Sequence, residues 1–430
     1  MKHGESMASL LIRDVVVEGR RTNIFCENGR IAAIDDLPRA ADSVLEGRGM
    51  LAMPPLINSH THSAMTLFRG NGDDLPLMEW LETKVWPYEQ GITEEEVYWG
   101  AKLACLEMVK NGIGFFNDMY WDFHAVARAV EETGLRAHLS AVFIDFGDAA
   151  RAKEQERTNI RLFEEVRQYS DRIRFAVGPH AIYTVTEPAL RWAAEFTAEH
   201  DIILHTHLSE TEQEVRDCHA QHGCSPVEYL HRLGMLSPRL VAAHTIWLSE
   251  EDIRLLGEHR VVCAHNPVSN MKLAVNGVYP YSKLKDAGAV TAIATDGAGS
   301  NNNLDLLEEL KVAALLQKFH NNDPTALPAE EALDMAIENP AHVFGLSGKK
   351  LFVGREADIL LIDLGKPEMN PPHSLASHLV YSANGSVVDS LVVDGRVLME
   401  HRVVEGEEEI VAKANEAAGR MVARVDETVS

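Results

Sequence analysis

Between residues 56 and 295 the chain repeats one local pattern: a short apolar run, then a longer stretch with helical periodicity. The runs fall near 56–60, 113–117, 137–145, 173–178, 202–207, 240–244, 261–265 and 289–295. Short apolar runs suit strands buried on both faces, and such strands alternating with helices build parallel sheets. Eight strand–helix units is the number that closes a sheet into a (β/α)8 TIM barrel. Helix limits can be read locally. Thr93-Glu94-Glu95-Glu96 is a capping box whose helix stops at Asn111-Gly112, and Ser249-Glu250-Glu251-Asp252 starts another helix. A third runs from Thr186-Glu187-Pro188 to about His200, with proline in its first turn.

Both ends of the chain follow a different pattern. SLLIRDVVVEG, RTNIFCENGRIAAIDD and SVLEGRGMLAM read as short strands, with a turn at Glu27-Asn28-Gly29. KKLFVGREADILLID and SVVDSLVVDGRVLMEHRVV repeat this near the C-terminus, with a hairpin turn at Asp394-Gly395. The expected organisation is a first β-sandwich part over 1–53, a barrel over 54–347, and a second sandwich part with a final helix over 348–430. That makes an α/β protein with one small composite domain drawn from both ends. A helix is expected from about Glu407 to Val425.

The formal net charge is −25 over 430 residues, with the acids spread along the chain. This argues against nucleic acid or an anionic membrane as a partner, because both need a basic surface. Five cysteines without a C-x-x-C pair argue against a disulfide framework or a cysteine zinc site. No apolar run approaches the length of a membrane span, and the N-terminus lacks the pattern of a signal peptide. A cytoplasmic location and a homo-oligomer are the resulting expectations.

In a barrel of this kind, functional side chains gather at the C-terminal ends of the strands. His60 and His62 share one face at the end of the first strand. His180, His207, His244 and Asp296 end the fourth, fifth, sixth and eighth. Three imidazoles and a carboxylate suit zinc or another divalent transition ion, with His60, His62, His207 and Asp296 as the ligands. One Zn2+ per subunit is expected, with Fe2+, Mn2+ or Ni2+ as alternatives. No lysine lies between Lys153 and Lys272, so the fourth strand cannot supply a bridging lysine for a second metal. His244 is then free to hydrogen-bond a water activated by the metal. Glu210, three residues past His207, is placed as a general acid/base, and Asp296 to carry a proton from water to the leaving group. His205 shares a face with His207 and is a weaker ligand candidate. His265 reads as a loop-ordering residue, and His124, His138, His219 and His222 as surface or helix histidines. Trp80 and Trp86 suit either the core or the wall of a pocket for a ring-shaped substrate. Glu89 could be a solvated loop acid.

Pro54-Pro55-Leu56-Ile57-Asn58-Ser59-His60-Thr61-His62, Gly178-Pro179-His180, His207-Leu208-Ser209-Glu210, Ala243-His244-Thr245, His265-Asn266-Pro267-Val268-Ser269-Asn270 and Thr295-Asp296-Gly297 occur in this order. Over essentially the whole chain this set resembles the amidohydrolase superfamily. Met65–Gly70, Glu79-Trp80-Leu81, Lys84-Val85-Trp86-Pro87-Tyr88-Glu89 and Asp296–Asn302 are most similar to its branch that deaminates 5′-modified adenosines. The resemblance implies a distorted barrel with a β-sandwich from both chain ends. It also implies one zinc on His60, His62, His207 and Asp296, with Glu210 protonating the purine ring and His244 orienting the nucleophile. Glu89 would bind ribose hydroxyls and His180 the nucleoside, and the products would be the inosine analogue and ammonia. Ala141 departs from the arginine expected where such relatives hold the carboxylate of S-adenosylhomocysteine, and Arg151 or Arg157 could substitute. Two other readings stay open: the same metal site acting on another ring (guanine, triazine, pterin or aminofutalosine), and a non-catalytic assembly protein.

Overall fold

The computed structural model describes residues 9–429. Five strands open the chain: β1 (Leu10–Val17), β2 (Arg20–Glu27), β3 (Arg30–Asp35), β4 (Ser43–Glu46) and β5 (Met50–Met53). Eight more follow, β6 (Leu56–Thr61), β7 (Ile113–Tyr120), β8 (Arg136–Phe143), β9 (Ile173–Pro179), β10 (Ile203–Leu208), β11 (Leu240–His244), β12 (Val262–His265) and β13 (Val290–Ile293). The last three are β14 (Ile359–Asp363), β15 (Val388–Val393) and β16 (Arg396–Met399). Strands β6 to β13 form one parallel sheet in sequential order, each followed by helix, which is the expected (β/α)8 barrel. The remaining strands form a second sheet in the order β16-β15-β14-β5-β1-β2-β3, with β4 beside β1. Antiparallel pairing of β5 with β14, Met53 opposite Leu360 and Met50 opposite Asp363, joins the two chain ends.

Barrel strands read as apolar runs because both faces are covered. Every residue of β6, β7, β10, β11 and β12 is buried. Inward residues such as Ile57, Phe115, Ala176, Ile203, Val241, Val262 and Ala292 fill the barrel, with Phe344 packed among them. The first and last strands are stitched together largely by one side chain. Asn58 Nδ2 donates to Thr295 Oγ1 (2.7 Å), its Oδ1 accepts from Thr295 N (3.1 Å), and Asp296 N donates to the His60 carbonyl (3.2 Å). This brings the Asp296 end of the chain against His60, more than 200 residues away.

The helix Glu94–Lys110 carries the full Thr93 capping box and ends at Asn111. Helices Glu187–His200 and Glu250–Glu258 start where expected, and the last helix runs Glu407–Val429. Two expectations are corrected. The Lys349–Val353 part of the KKLFVG stretch is not strand, and β14 begins only at Ile359. His138 is neither on the surface nor on a helix: it lies on β8, buried, with its ring edge-on to Phe115 and Phe344. Its place is set by the two-residue strand period, which turns Arg136 and His138 to the face opposite Ala137 and Leu139. Among the described residues no helix is long and apolar enough to cross a membrane.

Candidate active site

Beyond several strand ends the backbone turns through the left-handed region. Ser209 (φ 52°), His244 (φ 74°), Thr245 (φ 47°) and Asp296 (φ 64°) are all non-glycine residues with positive φ. Such residues are held there only by their surroundings, and they cluster where side-chain aim matters. Here the turns direct His60, His62, His207, Glu210, His244 and Asp296 into one mouth at the C-terminal end of the barrel.

Hydrogen bonding divides these imidazoles into two kinds. His62 Nδ1–H donates to the Met119 carbonyl (2.7 Å), and His207 Nδ1–H to the His180 carbonyl (2.8 Å). Each ring therefore presents a bare Nε2, and the two Nε2 atoms lie 3.2 Å apart. His60 Nδ1 bonds His205 Nε2 (2.8 Å), which leaves His60 Nε2 buried without a partner, 3.4 Å from Asp296 Oδ1. The same oxygen is 3.5 Å from His62 Nε2. Three nitrogen lone pairs and a carboxylate oxygen converging with no proton between them suit a divalent cation. Ring N–H groups anchored on carbonyls are the usual support for such ligands. The ligand atoms of His60, His62 and His207, and those of His60, His244 and Asp296, lie within 4.8 Å of one another.

His244 is arranged the other way. Its Nδ1 accepts from the amides of Asn270 (2.8 Å) and Asn266 (3.3 Å), so the proton sits on Nε2. That N–H points into the mouth, 3.8 Å from Glu210 Oε2. His244 is thus a donor facing the reaction space, whereas His62 and His207 are lone-pair ligands.

Burial sets the charge states. It pushes His60, His205 and His207 below the ordinary histidine range and His180 and His244 down to about 3, so these rings are neutral. Burial also raises the Glu210 carboxyl well above its usual range, helped by the charges of Asp296 and Glu214. Burial acts upward on Asp296 too, yet its carboxyl is held well below the usual range. Ser269 Oγ (2.7 Å) and Ser300 Oγ (3.1 Å) donate to its Oδ2, and Gly297 N (2.8 Å) to Oδ1. Two carboxyls in one mouth are thereby held in opposite states, an acid and a carboxylate.

The mouth opens into a cavity. His62, His207, Glu210, His244 and Asp296 line its floor, and His180, Glu89, Trp80 and Trp86 its walls. His180 Nδ1–H donates to Thr184 Oγ1 (3.0 Å), which turns Nε2 outward. Burial raises the Glu89 carboxyl. Trp80 is both core and wall, being 6% exposed yet lining the cavity. Arg151 is not brought to the site: it lies on the outer side of Phe146, 5.7 Å from the ring centroid, and Phe146 in turn meets Trp86 edge-on at 5.9 Å. Sequence reasoning missed Tyr120 and Trp121 at the end of β7, Val142 and Ile144 at the end of β8, and Tyr183, all of which line the cavity. Their positions at or just past strand ends were the available signal. It also gave no role to Ser269, Ser300 and Glu214.

A family model described as "Amidohydrolase family" matches residues 51–398. The chain is 50% identical over 385 residues to a 5′-deoxyadenosine deaminase of Methanospirillum hungatei, covering 89% of this chain and 86% of that one. It is 47% identical to 5-methylthioadenosine/S-adenosylhomocysteine deaminase 1 of Archaeoglobus fulgidus, covering 96% and 98%. Among solved structures, an adenosine deaminase of Xanthomonas campestris with bound zinc superimposes with a TM-score of 0.89 at 33% identity, covering 96% of this chain and 98% of that one.

Proposed function

The chain belongs to the amidohydrolase family, and from that premise we propose that it hydrolytically deaminates 5′-modified adenosines to the inosine analogues and ammonia. The observation that carries this reading is the pairing on one floor of a buried Glu210, whose carboxyl is raised by burial, with a nest of bare imidazole nitrogens. That pairing supplies what the reaction needs: an acid for a purine ring nitrogen beside a cation site for the nucleophile. The nest suits Zn2+ on His60, His62, His207 and Asp296, and the zinc-bearing relative supports that choice of metal. When bound, the ion supplies Lewis acidity, making water nucleophilic near neutral pH.

The chain's own residues do the rest. Glu210 gives its proton to the ring nitrogen beside the amino-bearing carbon, which makes that carbon electrophilic. His244 Nε2–H holds the nucleophile in line, its tautomer set by Asn270 and Asn266. Asp296 takes one proton from the attacking water and returns it to the leaving amine, and the second water proton, lost from the new hydroxyl as the carbonyl forms, restores Glu210, so water and substrate balance to product and ammonia. Glu89 is the ribose-hydroxyl acceptor and His180 Nε2 a second nucleoside contact, with Trp80 and Trp86 walling the purine and sugar.

The cavity bears on the 5′ group. Among the described residues no lysine or arginine lines it, whereas Leu77, Val85, Trp86, Val142 and Ile144 make an apolar wall. A buried carboxylate without a charge partner is costly. Uncharged 5′ groups, as in 5′-methylthioadenosine and 5′-deoxyadenosine, are therefore favoured over the zwitterionic tail of S-adenosylhomocysteine. The test is turnover of zinc-loaded protein on these three nucleosides, adenosine and guanine, followed by ultraviolet absorbance and ammonia release. Turnover of the uncharged adenosines ahead of S-adenosylhomocysteine is expected. Inactivity on every adenosine with metal bound would overturn the proposal.

A further inference from the structure

Behind Glu210 lies a second buried carboxylate for which the reaction has no use. Glu214 sits in the first turn of the helix Glu212–His222, 7% exposed. The helix is capped by Thr211, whose hydroxyl accepts from Glu214 N (3.1 Å). In a capping box the third helical residue returns its side chain to the capping residue's own N–H. Glu214 turns to the Thr211 backbone and reaches further back as well. Its Oε1 accepts from Ser209 N (2.9 Å) and its Oε2 from Glu210 N (2.8 Å). Ser209 is the residue forced through positive φ as β10 ends, and Glu210 is the acid that this turn aims into the mouth. Among the described residues no lysine or arginine is paired with Glu214, whose burial raises its carboxyl. A charge buried on backbone amides alone is expensive to keep, and a stabilising role would be met more cheaply by an ordinary cap.

We propose that Glu214 is a positioning residue for the reaction, clamping the Ser209–Glu210 backbone so that the Glu210 carboxyl stands opposite His244. Glu214 lines a neighbouring cavity and not the one that takes the nucleoside, so it touches no substrate. That second cavity adjoins the first, and Leu77, Tyr183, Glu210 and Leu273 line both. Glu210 thus stands between the two, and its direction depends on how its backbone is held. Two further buried acids follow the same plan: Asp118 accepts from Ser63 N next to His62, and Glu309 from Val268 N next to Ser269.

This inference rests on the proposed role of Glu210 as the acid. The test is kinetic, on zinc-loaded protein with 5′-methylthioadenosine, for wild type, Glu210→Gln, Glu214→Gln, Glu214→Asp and the double variant Glu210→Gln/Glu214→Gln, with Thr211→Val as a control that removes the helix cap and spares the clamp. Glu214→Gln keeps shape but loses one acceptor. It is expected to lower kcat about 10- to 100-fold, with KM within about twofold and zinc content unchanged. Glu214→Asp should recover part of the loss, and Thr211→Val should leave kcat of the folded enzyme near wild type. In the double variant Glu214→Gln should add nothing to the Glu210→Gln loss, because it acts through that residue. Full kcat in Glu214→Gln, or a loss that multiplies with that of Glu210→Gln, would overturn the inference and leave the deaminase reading standing. A wild type that turns over no adenosine would remove the reading itself.

Discussion

At the C-terminal mouth of the barrel His180 and His244 are buried and pushed down to about 3; towards the N-terminal end His138 is buried and pushed down to the same value. His138 and His244 are strand residues and His180 directly follows β9, and burial is the first cause in each case. Their surroundings differ completely. At the mouth each ring has one nitrogen engaged by a named partner, so the other is aimed and its protonation decided. At the far end both nitrogens of His138 lack a hydrogen-bond partner, and the ring lies between Phe115 and Phe344. Close by, Arg136 is neutralised by Asp358 and Asp394. A depressed histidine is therefore no mark of a site. The mark is an engaged ring edge opposite a free one, repeated on several strands whose free edges converge.

The comparison is broken most severely by cutting a ligand at the mouth. His207→Ala should lose bound zinc and all measurable activity while remaining folded, as metal analysis and assay would show. A variant with full zinc would place the ion elsewhere. Glu210→Gln is the next largest expected effect. It retains the nest and so keeps zinc, but kcat should fall about a hundred- to ten-thousand-fold, the range for loss of a general acid. A loss below tenfold would assign the proton to another group.

The smallest effect is expected at the opposite end. His138→Leu should leave zinc content and kcat as they are and raise stability by up to about 1 kcal/mol at neutral pH, because it removes buried polar atoms without partners. Its acid dependence gives a second measure. An ordinary unfolded histidine titrates near 6.5, and folded His138 resists the proton until about 3. The folded pKa is the lower one, so below about 6.5 the unfolded chain binds the extra proton. The stability compatible with a neutral His138 is complete above about pH 6.5 and is lost as pH falls from 6.5 towards 3, at roughly 1.4 kcal/mol per pH unit for this one group. Denaturant titrations across that window should show a shallower acid loss in His138→Leu. Identical slopes would assign the acid lability to the mouth histidines.

Much of this was legible in the residues. Eight apolar runs foretold eight strands, because strands covered on both faces carry no alternation to disguise them. His60, His62, His207, Glu210, His244 and Asp296 were legible because each lies at or just past a strand end, and parallel strands closed into a barrel put all such ends on one rim. The small sheet was legible at Asn28-Gly29 and Asp394-Gly395, where turn chemistry is local. Arg151 was not, because it lies in the first turn of the helix Ala149–Glu165 against Phe146, and where that helix starts relative to the cavity is set by the fold. The role of His205 was also hidden, since its partner His60 is 145 residues away.

What the sequence by itself determined is the parts: strand and helix limits, the rim residues, and the overall charge. These follow from periodicity, capping and composition, which act over a few residues or over the whole chain. What only the tertiary structure decided is which nitrogen of each histidine is free, in which direction burial and neighbours push each of two buried carboxyls, and that among the described residues no lysine or arginine lines the cavity. Each depends on partners tens to hundreds of residues apart in the chain. The Met119 carbonyl fixes His62, Asn270 fixes His244, and Ser269 with Ser300 holds Asp296. Hydrogen bonds and burial act through space at a few ångströms, and the closed barrel is what brings those groups within that range.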